Sequence, residues 1–300
     1  MKWLGVELYT YMVPPYVQSD LRAGQLFLEI GMDEALLNYP WELMHDGQDF
    51  LCLKHAVGRY VNAKQQAIPM QQRPASPLGT ELETLSVLLI SVPRPAARPD
   101  GTTFEALPEA EAETDAILDI LGGRDGVEVA ALIGKDAEYS DVFQALKTGK
   151  YHIIHFNGHA RFNDKNPYLS GLVLHDRNMT TGPLTSTIGG KPPLLCFVNG
   201  CETARSVEPA EPAHHFDIYG LARAFLDTGA YLLGSRWKVQ DATASTFAQE
   251  LYRSLVEEGE AIGNAILKAR HACREQVPGD PFGWASYLYY GDPRVAFGML

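Results

Sequence analysis

Basic residues are in short supply in this sequence: 25 Lys and Arg stand against 37 Asp and Glu, for a net charge of −12. Nucleic-acid binding and attachment to an anionic membrane surface both draw on clustered cations, so neither a nucleic acid nor a membrane is expected as a direct partner. Cysteine is scarce too. Cys52, Cys196, Cys201 and Cys273 are the four, and none forms a C-x-x-C pair. That argues against a zinc ribbon, a thioredoxin-like redox site and a disulfide framework, and it suits a reducing cytoplasm. No basic-then-apolar leader opens the sequence, and no apolar run approaches about 18 residues. The expectation is a cytoplasmic, unanchored protein. No internal repeat of roughly 20–50 residues is visible, which excludes a solenoid. Also missing are G-x-S-x-G, H-E-x-x-H and Walker A patterns, and with them the serine hydrolases, zincins and P-loop enzymes.

What is present reads as a soluble globular chain, 46% apolar and 21% charged over 300 residues, long enough for one large α/β domain or two modest ones. Residues 25–30 alternate like a strand, 33–44 are broken by Pro40 into short turns or helical pieces, and 50–53 with 57–61 suggest a hairpin. Residues 63–83, rich in Pro and Gln, read as a linker. The predicted organisation is therefore an N-terminal α/β extension with its linker, 1–83, and a larger domain, 84–300. In the second part strands at 85–92, 127–133, 151–156, 194–198, 230–234 and 285–290 alternate with helices at 108–121, near 136–148, 217–228, 241–258 and 261–275. Such alternation implies an α/β/α sandwich with a mostly parallel central sheet, whose sites lie at the carboxyl ends of the strands.

Two of those strand ends carry reactive side chains. In HFNGHA (155–160) an apolar strand runs into Asn-Gly and then His159. In FVNGCETA (197–204) another runs into Asn-Gly and then Cys201. Neighbouring strands would bring both groups to one edge of the sheet. A thiolate attacks a peptide carbonyl, and an adjacent imidazole takes the thiol proton and later protonates the leaving amine. Backbone N–H groups at Gly158 and Cys201 are the candidate oxyanion donors.

These motifs resemble those of the CHAT family, caspase-like cysteine peptidases often fused to tetratricopeptide repeats. The resemblance extends to LLNYPWELMHD and FLCLKHAVGRYV (36–46 and 50–61), LPEAEAETDAILDIL (107–121), GLARAFLDTGAYLLGSRWKVQD (220–241) and FGWASYLYYGDP (282–293). It implies a caspase-like fold, a His159–Cys201 dyad and a protein substrate cut by endopeptidase action. It also implies a bacterial defence or cell-death setting, with an activating effector protein or ligand. The 42 residues between His159 and Cys201 compare with the roughly 50 of caspases. The family commonly has a small residue before the Cys pair where this chain has Asn199-Gly200, a change expected to alter pocket shape more than mechanism.

Asp241 has two readings. It caps a helix at 242–258, or, by resemblance to separases, it lies at the base of the pocket for the substrate's P1 side chain and selects Arg or Lys. Ser235, Arg236 and Trp237 resemble the segment that pairs with substrate backbone in caspase-like folds; Arg236 could instead bind an acidic side chain. The acidic run 105–119 reads as a solvated helix face, and the Pro-rich segment 205–217 as a loop near the site. Cys52, Cys196 and Cys273 read as inert core. Alternation puts His155 and Ile153 on one face of their strand and His152 and Ile154 on the other. No cofactor and no metal are expected, although His155, His159 and Cys201 could be drawn as a zinc site. The alternative function is a catalytically silent caspase-like module that regulates or binds.

Overall fold

The computed structural model describes residues 2–22, 24–33, 36–37, 39–61, 81–161, 169–200, 225–226, 228–237 and 239–299. Cys201, the 205–217 segment, most of the 217–228 helix and most of the 63–83 linker lie outside the described residues.

Helices α1 (Lys2–Met12) and α2 (Pro15–Asp20) open the chain, followed by β1 (Phe27–Met32) and β2 (Ala56–Val61). After β3 (Glu81–Leu82) come β4 (Leu85–Val92), α3 (Pro108–Leu121), β5 (Val127–Ile133), α4 (Tyr139–Lys147) and β6 (Ile153–Gly158). Short strands β7 (Ala160–Arg161), β8 (Gly171–Val173) and β9 (Asn178–Thr180) precede α5 (Thr181–Ile188) and β10 (Leu195–Asn199). The chain continues through β11 (Tyr231–Ser235), α6 (Asp241–Val256), α7 (Ile262–Gln276), β12 (Tyr287–Tyr290) and β13 (Gly298–Met299).

Eight strands form one sheet in the order β1-β2-β12-β11-β10-β6-β4-β5. Every neighbouring pair is parallel except β11–β12. Five strands, β5 to β11 across the sheet, therefore end at the same edge. The inner strands are buried along their length because helices cover both faces. The edge strand β5 is only partly buried, with Glu128, Ala131 and Ile133 exposed.

The two faces hold separate cores. On one, Val87, Leu89, Ile153, Leu195 and Phe197 pack against Ile117 and Leu121 of α3, Phe247 and Leu251 of α6, and Ile266 of α7. On the other, Leu88, Ile90, Ile154, Phe156, Cys196 and Val198 pack against Val142 and Leu146 of α4 and Leu184 and Ile188 of α5. Each such Leu, Ile or Phe stabilises the fold by about 1.5–3 kcal/mol through burial. His155 falls on the Ile153 face, as alternation predicts.

One expectation is corrected. Residues 50–53 and 57–61 do not make a hairpin. Leu51–Leu53 is a turn of 3-10 helix, and β2 pairs parallel with both β1 and β12. The reason lies in the turn's own bonds: Lys54 and His55 donate their N–H groups to Leu51 O at 3.0 and 2.8 Å, so the segment coils instead of extending. β1 and β2, which precede the expected boundary near 83, thus join the sheet built by the strands after it. Arg59 fastens this region, its buried guanidinium hydrogen bonded to the buried Glu42 carboxylate. The small β7-β8-β9 sheet and helix α5 were not predicted; their short runs of two or three strand residues carry little periodicity.

Candidate active site

β6 and β10 are parallel neighbours, in register from Leu195 opposite Ile153 to Asn199 opposite Asn157. The two Asn-Gly pairs leave the sheet side by side. A Cβ placed on Gly200 would sit 2.6 Å from the Gly158 carbonyl oxygen and 3.3 Å from the Ala160 nitrogen. The residue before Cys201 is thus in contact with the residues on either side of His159. That proximity, and not a left-handed backbone, is what requires glycine here: neither Gly158 nor Gly200 is among the chain's positive-φ glycines.

His159 is 1% exposed. Its Nε2 lies 2.7 Å from the carbonyl oxygen of Glu105. A carbonyl only accepts, so Nε2 carries the hydrogen and donates it, which leaves the lone pair on Nδ1. The Phe104 ring lies 5.7 Å from the imidazole, centroid to centroid. Burial lowers the His159 pKa below its ordinary 6.5, against the opposing pull of the Glu105 carbonyl and carboxylate. The ring is a neutral base at neutral pH.

Beyond His159 the chain enters the small sheet. Val173 N donates to His159 O at 2.9 Å, so Ala160 and Leu172 face each other as a non-hydrogen-bonded pair. The Ala160 N–H therefore points away from β8. Its nitrogen is the atom Gly200 packs against.

A cavity of about 130 Å³ opens at this sheet edge, lined by Gly158, Asn199 and Gly200 from the strand ends, by 105–113 from the start of α3, and by Val239, Asp241 and Ala244 at the start of α6. Glu105, Glu109, Glu113 and Asp241 line it, and no basic residue does among the described residues. Asp241 is the first residue of α6, not its N-cap; Gln240 occupies that place without a side-chain cap bond. Asp280, from the loop before β12, packs beside the helix start. Its Oδ2 accepts from Thr243 Oγ1 at 2.8 Å and Gln240 N at 3.4 Å. Ser235, Arg236 and Trp237 are not among the cavity's lining residues. Ser235 closes β11 opposite Tyr287, Arg236 N donates to Ser286 O at 2.8 Å, and Trp237 packs on the α3–α6 core.

The acidic run 105–119 is a solvated face at Glu105, Glu109, Glu111, Asp115 and Asp119, all exposed. Glu113 is the exception, 2% exposed and turned to the sheet. Its position was legible: 113 lies on the 110–117 stripe, three residues after Ala110 and four before Ile117. Its carboxylate accepts from Asn199 Nδ2 at 2.9 Å through both oxygens. The Glu105 carbonyl had no such signal, since any residue supplies one.

A family model described as the CHAT domain matches residues 3–292. The chain belongs to the CHAT family. No curated protein matches it. Among solved structures, the Arg-specific cysteine proteinase gingipain R is similar at 14% identity and a TM-score of 0.56, over 83% of this chain and 57% of that one. A structure described only as a protease is similar at 12% identity and a TM-score of 0.50, over 81% and 56%. Caspase-1 from Spodoptera frugiperda aligns at 11% identity and a TM-score of 0.44, over 77% and 94%. This CHAT chain spans a little over half the length of gingipain R. Its fold is the caspase-like α/β fold with a mainly parallel eight-stranded sheet. No helix among the described residues of the CHAT chain is long and apolar enough to cross a membrane.

Proposed function

We propose that this chain is a cysteine endopeptidase acting through Cys201 and His159 on a protein substrate. The observation that carries the reading is the contact of Gly200, the residue before Cys201, with the Gly158 carbonyl and Ala160 nitrogen that flank a buried, neutral His159. His159 Nδ1 accepts the thiol proton, and Cys201 sulfur bonds to the substrate carbonyl carbon. The C–N bond then breaks as the imidazolium returns that proton to the leaving amine. Water, deprotonated by His159, next hydrolyses the thioester. The Glu105 carbonyl holds the ring in one tautomer and stabilises the imidazolium while it exists. Backbone N–H groups of Cys201 and Gly158, joined by that of Ala160, are the donors for the developing oxyanion.

The acidic cavity supports a preference for Arg or Lys at P1, read by Asp241, with 235–237 lying beside the substrate on the next strand end. The family resemblance supports a bacterial defence or cell-death role, with activity switched on by an effector protein or ligand and the protein at work in the cytoplasm.

The test is a peptide-library digest together with thiol labelling. Cys201→Ala is expected to lower cleavage on the order of a thousandfold or more. Labelling reads Cys201 cleanly, because burial pushes the Cys52 and Cys273 thiols up to about 12 and Cys196 well above its usual range. Cleavage retained by Cys201→Ala, or labelling of Cys201 no faster than that of a free thiol, ends the reading and leaves the silent binding module.

A further inference from the structure

Along β6 and β10, on the α3 face, stands a line of buried polar side chains from five different elements. Asn199 is its centre. Its amide nitrogen donates to both oxygens of Glu113 at 2.9 Å, and its amide oxygen accepts from the Tyr287 hydroxyl at 2.9 Å. Glu113 also faces His155, whose Nε2 is 3.4 Å from Oε1 and whose Nδ1 is 3.0 Å from the Tyr252 hydroxyl. All five side chains are 6% exposed or less. A buried carboxylate of this kind is retained at a cost in desolvation unless it is fully bonded, and here its partner is the last residue of the strand that leads to Cys201.

The same stretch of chain holds the other half of the dyad. Glu105, just before α3, fixes His159 through its carbonyl, and Glu113, in the second turn of α3, fixes Asn199 through its carboxylate. We propose that Glu113 and Asn199 are positioning residues: the Glu113–Asn199–Tyr287 clamp sets the exit of Gly200, the residue before Cys201, from β10 against a base held by the same α3 segment. The proposal rests on Cys201 being the nucleophile. Asn199 does not touch the reacting atoms in this scheme; it acts through the backbone that follows it.

The experiment is the rate and pH dependence of Cys201 alkylation by iodoacetamide in the full chain, with a thermal melt of each variant. Asn199→Asp sets two carboxylates face to face. It is expected to slow alkylation about tenfold or more and to move the pH midpoint of alkylation upward. Asn199→Asp combined with Glu113→Gln exchanges amide and carboxylate, restores the pairing, and is expected to recover most of the rate and the midpoint. Tyr287→Phe, which removes one hydroxyl and keeps the packing, is expected to slow alkylation about threefold to fivefold. A role in stability alone predicts lower melting temperatures with an unmoved midpoint. That result, or a double variant that regains stability without regaining rate, overturns the proposal. If Asn199→Asp does not fold, Tyr287→Phe and the double variant decide on the same criteria. A wild-type chain whose Cys201 labels no faster than a free thiol is a different failure, that of the peptidase reading itself.

Discussion

Asn157 and Asn199 stand opposite each other in register, each followed by glycine, at the ends of adjacent strands on the same face of the sheet. Their hydrogen bonds differ in kind. Asn157 donates to the backbone carbonyl of Ala110 at 3.1 Å, an oxygen that Thr114 Oγ1 also reaches at 2.7 Å. Asn199 is bonded to a buried carboxylate and a buried hydroxyl. The glycines differ as well. A Cβ on Gly158 would meet Phe156 Cζ at 3.1 Å and Val92 O at 3.2 Å, contacts that a small adjustment relieves, whereas on Gly200 it would meet backbone oxygen at 2.6 Å. Two motifs that look alike in sequence are thus held differently: Asn157 of the histidine strand by a backbone carbonyl, Asn199 of the cysteine strand by a buried carboxylate and a buried hydroxyl, with a closer backbone approach at the glycine that follows.

The largest expected effect that tests this asymmetry is Gly200→Ala. Forcing the two strand ends apart should lower kcat/KM on the order of a hundredfold, with Gly158→Ala losing far less; equal losses in a cleavage assay would erase the contrast. Next come the asparagines. Asn199→Ala leaves Glu113 and Tyr287 short of a partner and should destabilise by about 2–3 kcal/mol, against about 1 kcal/mol for Asn157→Ala, as read from urea unfolding. Smaller still is Asp241→Asn. Asp241 is exposed, so its attraction for a basic P1 side chain is worth about 1 kcal/mol or less, and the Arg/Lys preference should fall no more than about fivefold.

The last effect concerns pH. Burial lowers the pKa values of His45, His55, His152 and His159 below 6.5. As pH falls through that value the unfolded chain takes up protons that the folded chain refuses, so stability should decline on the acid side and be restored above it. His159→Gln, at the end of β6, should make that decline shallower in a pH series of melts. Cys201 alkylation assisted by neutral His159 should hold its rate to a pH below 6.5, as a pH series of iodoacetamide labelling would read.

Much of the fold was legible because its elements announce themselves locally. The 85–92 strand, the 108–121 helix with Pro108 at its first position, and the 127–133 strand fall where the pattern put them. Buried parallel strands read as apolar runs, and helices as stripes with a polar back. The expected hairpin at 50–61 failed because pairing partners are chosen over distance, and β2 found β1 and β12. Asp241 lies at a helix start as expected, but as the first helical residue and not as the cap; Gln240 stands at the cap, and its N–H and the Thr243 hydroxyl donate to Asp280, 39 residues on from Asp241. The segments at 205–217 and 63–80 lie outside the described residues.

By itself the sequence determined the succession of strands and helices, the two Asn-Gly ends with their imidazole and thiol, and the family to which those motifs belong. Hydrophobic period and turn chemistry act within a few residues, so one chain read in order suffices for them. Tertiary structure alone decided that β10 lies beside β6, that a carbonyl at 105 holds His159, and that a carboxylate in a seemingly solvated helix holds Asn199. Hydrogen bonds between strands and from a helix to a sheet are made between residues far apart in the chain, and only the packing of the whole sheet brings their donors and acceptors together.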